Sequence, residues 1–171
     1  MVIPSKLLIF GNILSFVQPH LPEAPIEDWE FIPKSIEKIS EYSTLGYEFA
    51  IASNIDEIVA LNQSEGDAQK TLELLMQKVI SATDVYIRFV AFFVARQGIA
   101  GFTVGSNGPG TQAYAYQNDA RKPNPELFQK AIEHFGRSPQ DCLVINSSEQ
   151  DTQAASSANI LSMSKDTWLD S

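Results

Sequence analysis

Few side chains in this chain are equipped for chemistry, and most of them stand alone. The single cysteine, Cys142, excludes an intramolecular disulfide and a cysteine-based zinc site. It opens an apolar run and reads as a small core residue rather than a reactive thiol. His20 and His134 lie far apart and read as surface groups. The run GSNGPG at residues 105–110 is a turn. It lacks the Gly-Lys-Ser/Thr ending and the following helix of a phosphate loop. What remains are four short sets that follow or separate apolar runs: Gly11–Ser15, Ser53 with Asn54, Arg121 with Lys122, and Asn146–Asp151. All four carry hydroxyl, amide or charged groups. In the first, the run Ile13-Leu14-Ser15-Phe16 that follows the strand end of KLLIFGNILSF carries no charge at all.

The elements that must position these sets follow from periodicity. Continuous apolar runs predict buried strands over Lys6–Asn12, Glu48–Asn54, Tyr86–Val94 and Asp141–Ser147. A further strand is read at Ile160–Met163, and TQAYAYQ alternates like an edge strand. Helical stripes predict helices over Pro33–Leu45, Gly66–Ala82 and Pro123–Phe135, with Gly46 and Gly136 as stops, and a short one over Glu149–Ala158. The proline-rich stretch His20–Pro33 reads as a loop. Strands alternating with helices predict an α/β fold with a parallel sheet covered by helices. Ligands bind such sheets at the C-terminal ends of the strands, and that rule selects the same four sets.

Composition narrows the function classes. A chain of 171 residues with 44% hydrophobic and 19% charged residues suits one soluble globular domain. The net charge of −9 argues against non-specific binding to DNA, RNA or an anionic membrane, and leaves room for a local anion site. No basic region followed by an apolar run and a small-residue cleavage site opens the sequence, so no signal peptide is expected. The apolar run around Val85–Ala95 is interrupted by Arg88 and is too short to span a bilayer. A cytoplasmic protein fits these features.

In order, the four sets resemble the four motifs of the haloacid dehalogenase (HAD) superfamily of phosphatases. The nearest likeness is to the small capless enzymes of the histidinol-phosphate, heptose-bisphosphate and polynucleotide 3′-phosphatase type. It is carried by GYEFAIASN, a strand ending in Ser-Asn, and by ARKPNPELFQKAIEHFG with CLVINSSEQDTQAASSANI, the third and fourth motifs joined. The resemblance implies a Rossmann-like three-layer α/β/α fold over residues 1–171 as a single domain without a large cap. It also implies phosphate contacts from Ser53, Asn54 and Lys122, and a Mg²⁺ held by carboxylates of the first and fourth motifs. In the family an Asp attacks phosphorus, and a second Asp two residues on protonates the leaving oxygen and later activates water. Here Gly11 stands in the nucleophile's place and Ile13 in that of the acid/base. Leu14 and Ser15 take the places of Gly and Thr, and Asn146 replaces the usual fourth-motif Asp. Asp151 falls on the second acidic position, a metal ligand in the family reading.

Simpler roles stand beside these. Lys122 also suits a solvated lysine before a proline-started helix, Ser53 and Asn54 a capped strand-to-helix junction, and Asp151 a carboxylate favoured near a helix N-terminus. Loss of one member of a concerted catalytic set can cost roughly 10⁶ in rate. The expectation is therefore a catalytically inactive HAD phosphatase homologue that keeps a site for phosphate or a phosphorylated small molecule. Two alternatives are an active Mg²⁺-dependent phosphomonoester hydrolase with rerouted chemistry, and a structural or regulatory subunit. The last would pack Ile13, Leu14, Phe16 and Val17 on a protein partner.

Overall fold

A computed structural model of the chain describes residues 6–12, 15–18, 28–54, 65–85, 87–94, 98–103, 110–114 and 125–171. Nine strands are present among them: β1 (Lys6–Phe10), β2 (Val17–Gln18), β3 (Glu30–Phe31), β4 (Tyr47–Asn54), β5 (Ile87–Val94), β6 (Gly98–Thr103), β7 (Gly110–Tyr114), β8 (Cys142–Asn146) and β9 (Leu161–Ser164). The helices are α1 (Ser35–Thr44), α2 (Glu65–Thr83), α3 (Glu126–Phe135), α4 (Glu149–Ser157) and α5 (Lys165–Asp170). Seven strands form one sheet in the order β7-β6-β5-β4-β1-β8-β9. Strands β5, β4, β1, β8 and β9 run parallel, and β6 and β7 close one edge antiparallel. This is the mostly parallel, helix-flanked sheet of a Rossmann-like α/β fold.

Strand alternation sorts the core onto two faces. One face holds Leu8, Phe10, Phe49, Ile51, Leu143 and Ile145 under α1, α2 and α5. The other holds Leu7, Ile9, Ala50, Ala52, Cys142 and Val144 under α3 and α4. Every residue of β1 from Leu7 to Phe10 is fully buried, as its unbroken apolar run predicts. Glycines end helices where expected: Gly46 and Gly136 both take positive φ, a conformation glycine adopts without steric cost.

Four elements differ from the sequence expectation, one of them β6, a strand that the sequence did not predict. Within the stretch expected to be loop, Glu30–Phe31 pairs antiparallel with Val17–Gln18, and Trp29 is buried beside it. Two-residue strands are too short for alternation to register. The helix expected over Pro33–Leu45 ends at Thr44, Leu45 just past it is exposed, and within α1 Lys38 is buried instead. The Lys38 stem lies along the core while its ammonium donates to Glu41 Oε2 at 2.9 Å and to the Ser171 carbonyl. Helix α5 was not anticipated. Its Trp168 is wholly buried against Phe10, with ring centroids 5.5 Å apart.

Candidate functional site

The chain reverses direction across the sheet at β1. It builds β4 and β5 to one side, then crosses to β8 and β9 on the other. Such a switch point leaves a crevice beyond the strand ends, where ligands bind in open α/β sheets. Register fixes what meets there. Phe10 pairs with Ile51 of β4 and with Ile145 of β8. The next residue, Gly11, donates its N–H to the Ile145 carbonyl at 3.0 Å, which sets it beside Asn146. On the other side β4 runs three residues beyond Ile51, so its backbone carries Ser53 and Asn54 past the end of β1.

Of the residues selected from sequence, Gly11, Asn146 and Asp151 are thus brought to the same strand ends. The side chains of Ser53 and Asn54 lie outside the described residues, as do Ile13, Leu14, Arg121 and Lys122. Ser15 is fully buried, its N–H donates to the Asn12 carbonyl at 3.1 Å, and its Oγ has no hydrogen-bond partner among the described residues. The turn it makes returns Phe16 and Val17 to the core, where both are fully buried. Those two side chains are therefore spent inside the chain and are not available to a partner surface.

Asp151 is a buried acidic side chain of this region, only 1% exposed. Its backbone N–H donates to Ser148 Oγ at 3.2 Å, so Ser148 caps α4. Its carboxylate Oδ2 in turn accepts from the Ser147 N–H at 3.1 Å and from Ser147 Oγ at 3.5 Å. The sequence suggested that Asp151 favours the helix N-terminus, and its position in the first turn agrees. What sequence did not suggest is its second neighbour. A Cβ placed on Gly11 would lie 2.6 Å from Asp151 Cγ and Oδ2 and 2.9 Å from Oδ1.

Beyond these groups a polar cleft of about 320 Å³ opens at the ends of β8 and β9, lined by Asn146, Ser147, Ser148, Glu149, Thr152 and Lys165 among others. A larger and more apolar groove, about 660 Å³, lies between α2 and β3 and includes none of the residues selected from sequence. Among the described residues no group of three or more His, Cys, Asp or Glu side chains is placed to hold a metal ion. Cys142 is buried and its thiol is pushed up to about 11, by burial first and by Asp141 second, with Arg137 opposing. That agrees with a core residue. His134 is held below the ordinary histidine value by partial burial, and it is on α3, outside the strand-end cluster.

The haloacid dehalogenase-like hydrolase family model matches residues 23–159, well over half of the chain, and the chain belongs to this family. No curated protein matches it. Two solved structures resemble it over most of its length. One is the D,D-heptose 1,7-bisphosphate phosphatase from B. bronchiseptica, complexed with magnesium and phosphate. It aligns with a TM-score of 0.63 and 15% identity, over 92% of this chain and 78% of that one. The other is the D,D-heptose 1,7-bisphosphate phosphatase from Burkholderia thailandensis, with a TM-score of 0.57 and 18% identity over 91% and 75%. At such identities the likeness is one of fold. Among the described residues no helix is long and apolar enough to cross a membrane.

Proposed function

We propose that this protein is a HAD-family phosphatase homologue that has given up covalent phosphoryl chemistry and retains a phosphate or anion site. One observation carries the reading. The residue at the end of β1, where the family's nucleophile stands, is a glycine, and the space its side chain would need is taken by the Asp151 carboxylate. A glycine offers no oxygen to attack phosphorus, and Ile13 offers none to move a proton. The anion site in this reading is formed by Ser53 and Asn54, as hydroxyl and amide donors at the end of β4, with Lys122 as the cation of the third motif. It acts without a large cap, in the cytoplasm.

The donor set at the ends of β1 and β8 does not suit Mg²⁺. That ion prefers several oxygen ligands in octahedral array, including carboxylates. Here Asn146 is a neutral amide, and the carboxylate against the end of β1 among the described residues, that of Asp151, is buried and bonded to Ser147. No step is therefore assigned to a metal. An active hydrolase with rerouted chemistry would have to recruit Asp151, the acid nearest the vacant position, against its burial and its existing hydrogen bonds.

Two assays test the proposal. Phosphatase activity is measured with Mg²⁺ over several phosphomonoesters, and inorganic phosphate binding is measured by calorimetry. The expected result is no turnover, with phosphate binding weakened roughly tenfold or more by Lys122→Ala, the usual scale for losing a charge-assisted contact. Turnover that is abolished by Lys122→Ala or by Asp151→Asn would overturn the inactive reading in favour of rerouted hydrolysis.

A further inference from the structure

Alternation along β1 places Leu7 and Ile9 on the α3 and α4 face, and the next position of that series is Gly11. A side chain there would point at α4. The first turn of α4 carries Asp151, whose carboxylate already lies where the first side-chain atom at position 11 would have to go. Contacts under 3.0 Å are too short for a real Cβ, so one of the two groups must move. Asp151 is badly placed to yield. It is nearly fully buried, its side chain is short, and Oδ2 is held by both donors of Ser147.

We infer that Asp151 stands in space for the side chain that β1 lacks, so that positions 11 and 151 form one coupled unit. Asp151 is a positioning residue. It fastens the turn Asn146–Ser148 and the start of α4 onto the end of β1, and it requires glycine at position 11. The carboxylate at the end of β1 is thus supplied by α4. A consequence is that a side chain returned to position 11 displaces the Asp151 carboxylate from its present place. This inference holds whether or not the protein binds phosphate.

The test is a double-mutant cycle of Gly11→Ala and Asp151→Ala, with Asp151→Asn as the variant that preserves shape. Thermal midpoints and amide exchange of Ser147 are recorded for each. Gly11→Ala should lower Tm by roughly 5 °C through overpacking, and should lower it by a similar amount in the Asp151→Asn background. In the Asp151→Ala background the same change should cost about 1 °C or less, because the obstructing atoms are gone. Ser147 amide exchange should quicken on the order of tenfold in Gly11→Ala, since the displaced carboxylate no longer accepts from that N–H. Equal losses of Tm in the wild-type and Asp151→Ala backgrounds, or unchanged Ser147 exchange in Gly11→Ala, would overturn the coupling. If Gly11→Ala does not fold, a folded Gly11→Ala/Asp151→Ala protein supports the inference. Failure of that double variant beside a folded Asp151→Ala protein refutes it.

Discussion

The two faces of the central sheet are built from different materials. The face under α1, α2 and α5 is aromatic: Phe10 lies 4.7 Å from Phe16, 6.1 Å from Phe49 and 5.5 Å from Trp168, measured between ring centroids. The face under α3 and α4 combines aliphatic side chains and Phe128 with a set of alanines, Ala50 and Ala52 on the sheet, Ala131, Ala154 and Ala155 on the helices and Ala158 at the end of α4. Large rings fill volume and hold helices away from a sheet, whereas alanines let backbones approach closely. The difference teaches where the site comes from. On the alanine face α4 sits near enough to the sheet for the short side chain of Asp151 to reach the end of β1. The aromatic face supplies stability, and the alanine face supplies the approach.

That contrast is broken most severely by emptying the aromatic face. Trp168→Ala removes a fully buried indole and is expected to cost roughly 3–5 kcal/mol in urea denaturation, with α5 released from the sheet. The alanine face should respond to the opposite change. Ala155→Leu adds volume at a fully buried position and is expected to cost about 1–3 kcal/mol, with faster Ser147 amide exchange as α4 is pushed outward. A result in which Ala155→Leu stabilises the protein would show slack beneath α4 and remove the close approach described above. Ser148→Ala deletes the cap on the Asp151 N–H and should cost about 1 kcal/mol without altering the aromatic face, as read by unchanged near-ultraviolet circular dichroism.

The smallest effect concerns pH. Burial holds His134 below the ordinary value of 6.5, so between that value and its own the unfolded chain binds the proton more readily than the folded one. Stability should therefore decline slightly as pH falls below about 6.5, and His134→Gln should flatten that slope in urea titrations.

Much of the fold was legible because it rests on local pattern. The apolar runs of β1, β4 and β8 and the helical stripe of α3 need no distant partner to be recognised. Their order gave the parallel sheet, and the rule for its strand ends selected Gly11, Asn146 and Asp151. Elements that depend on distant contacts were less readable. Helix α5 is six residues long and is fixed by one tryptophan inserted beside Phe10. The ribbon of β2 and β3 is two residues per strand and is held by pairing across the chain. Lys38 escaped the hydrophobic pattern because only its stem is apolar, while its ammonium is satisfied by Glu41 and Ser171.

The sequence by itself determined that positions 11 and 13 offer no carboxylate: no folding can give Gly11 or Ile13 one. It also determined which residues follow the strands, because that depends on chain order alone. Only the tertiary structure decided what fills the vacancy. Positions 11 and 151 are separated by most of the chain, and their contact arises from the alternation of β1, the packing of the first turn of α4 against its end and the hydrogen bonds from Ser147. Strand-end chemistry is written residue by residue, but the space around a glycine belongs to whatever side chain the fold brings there.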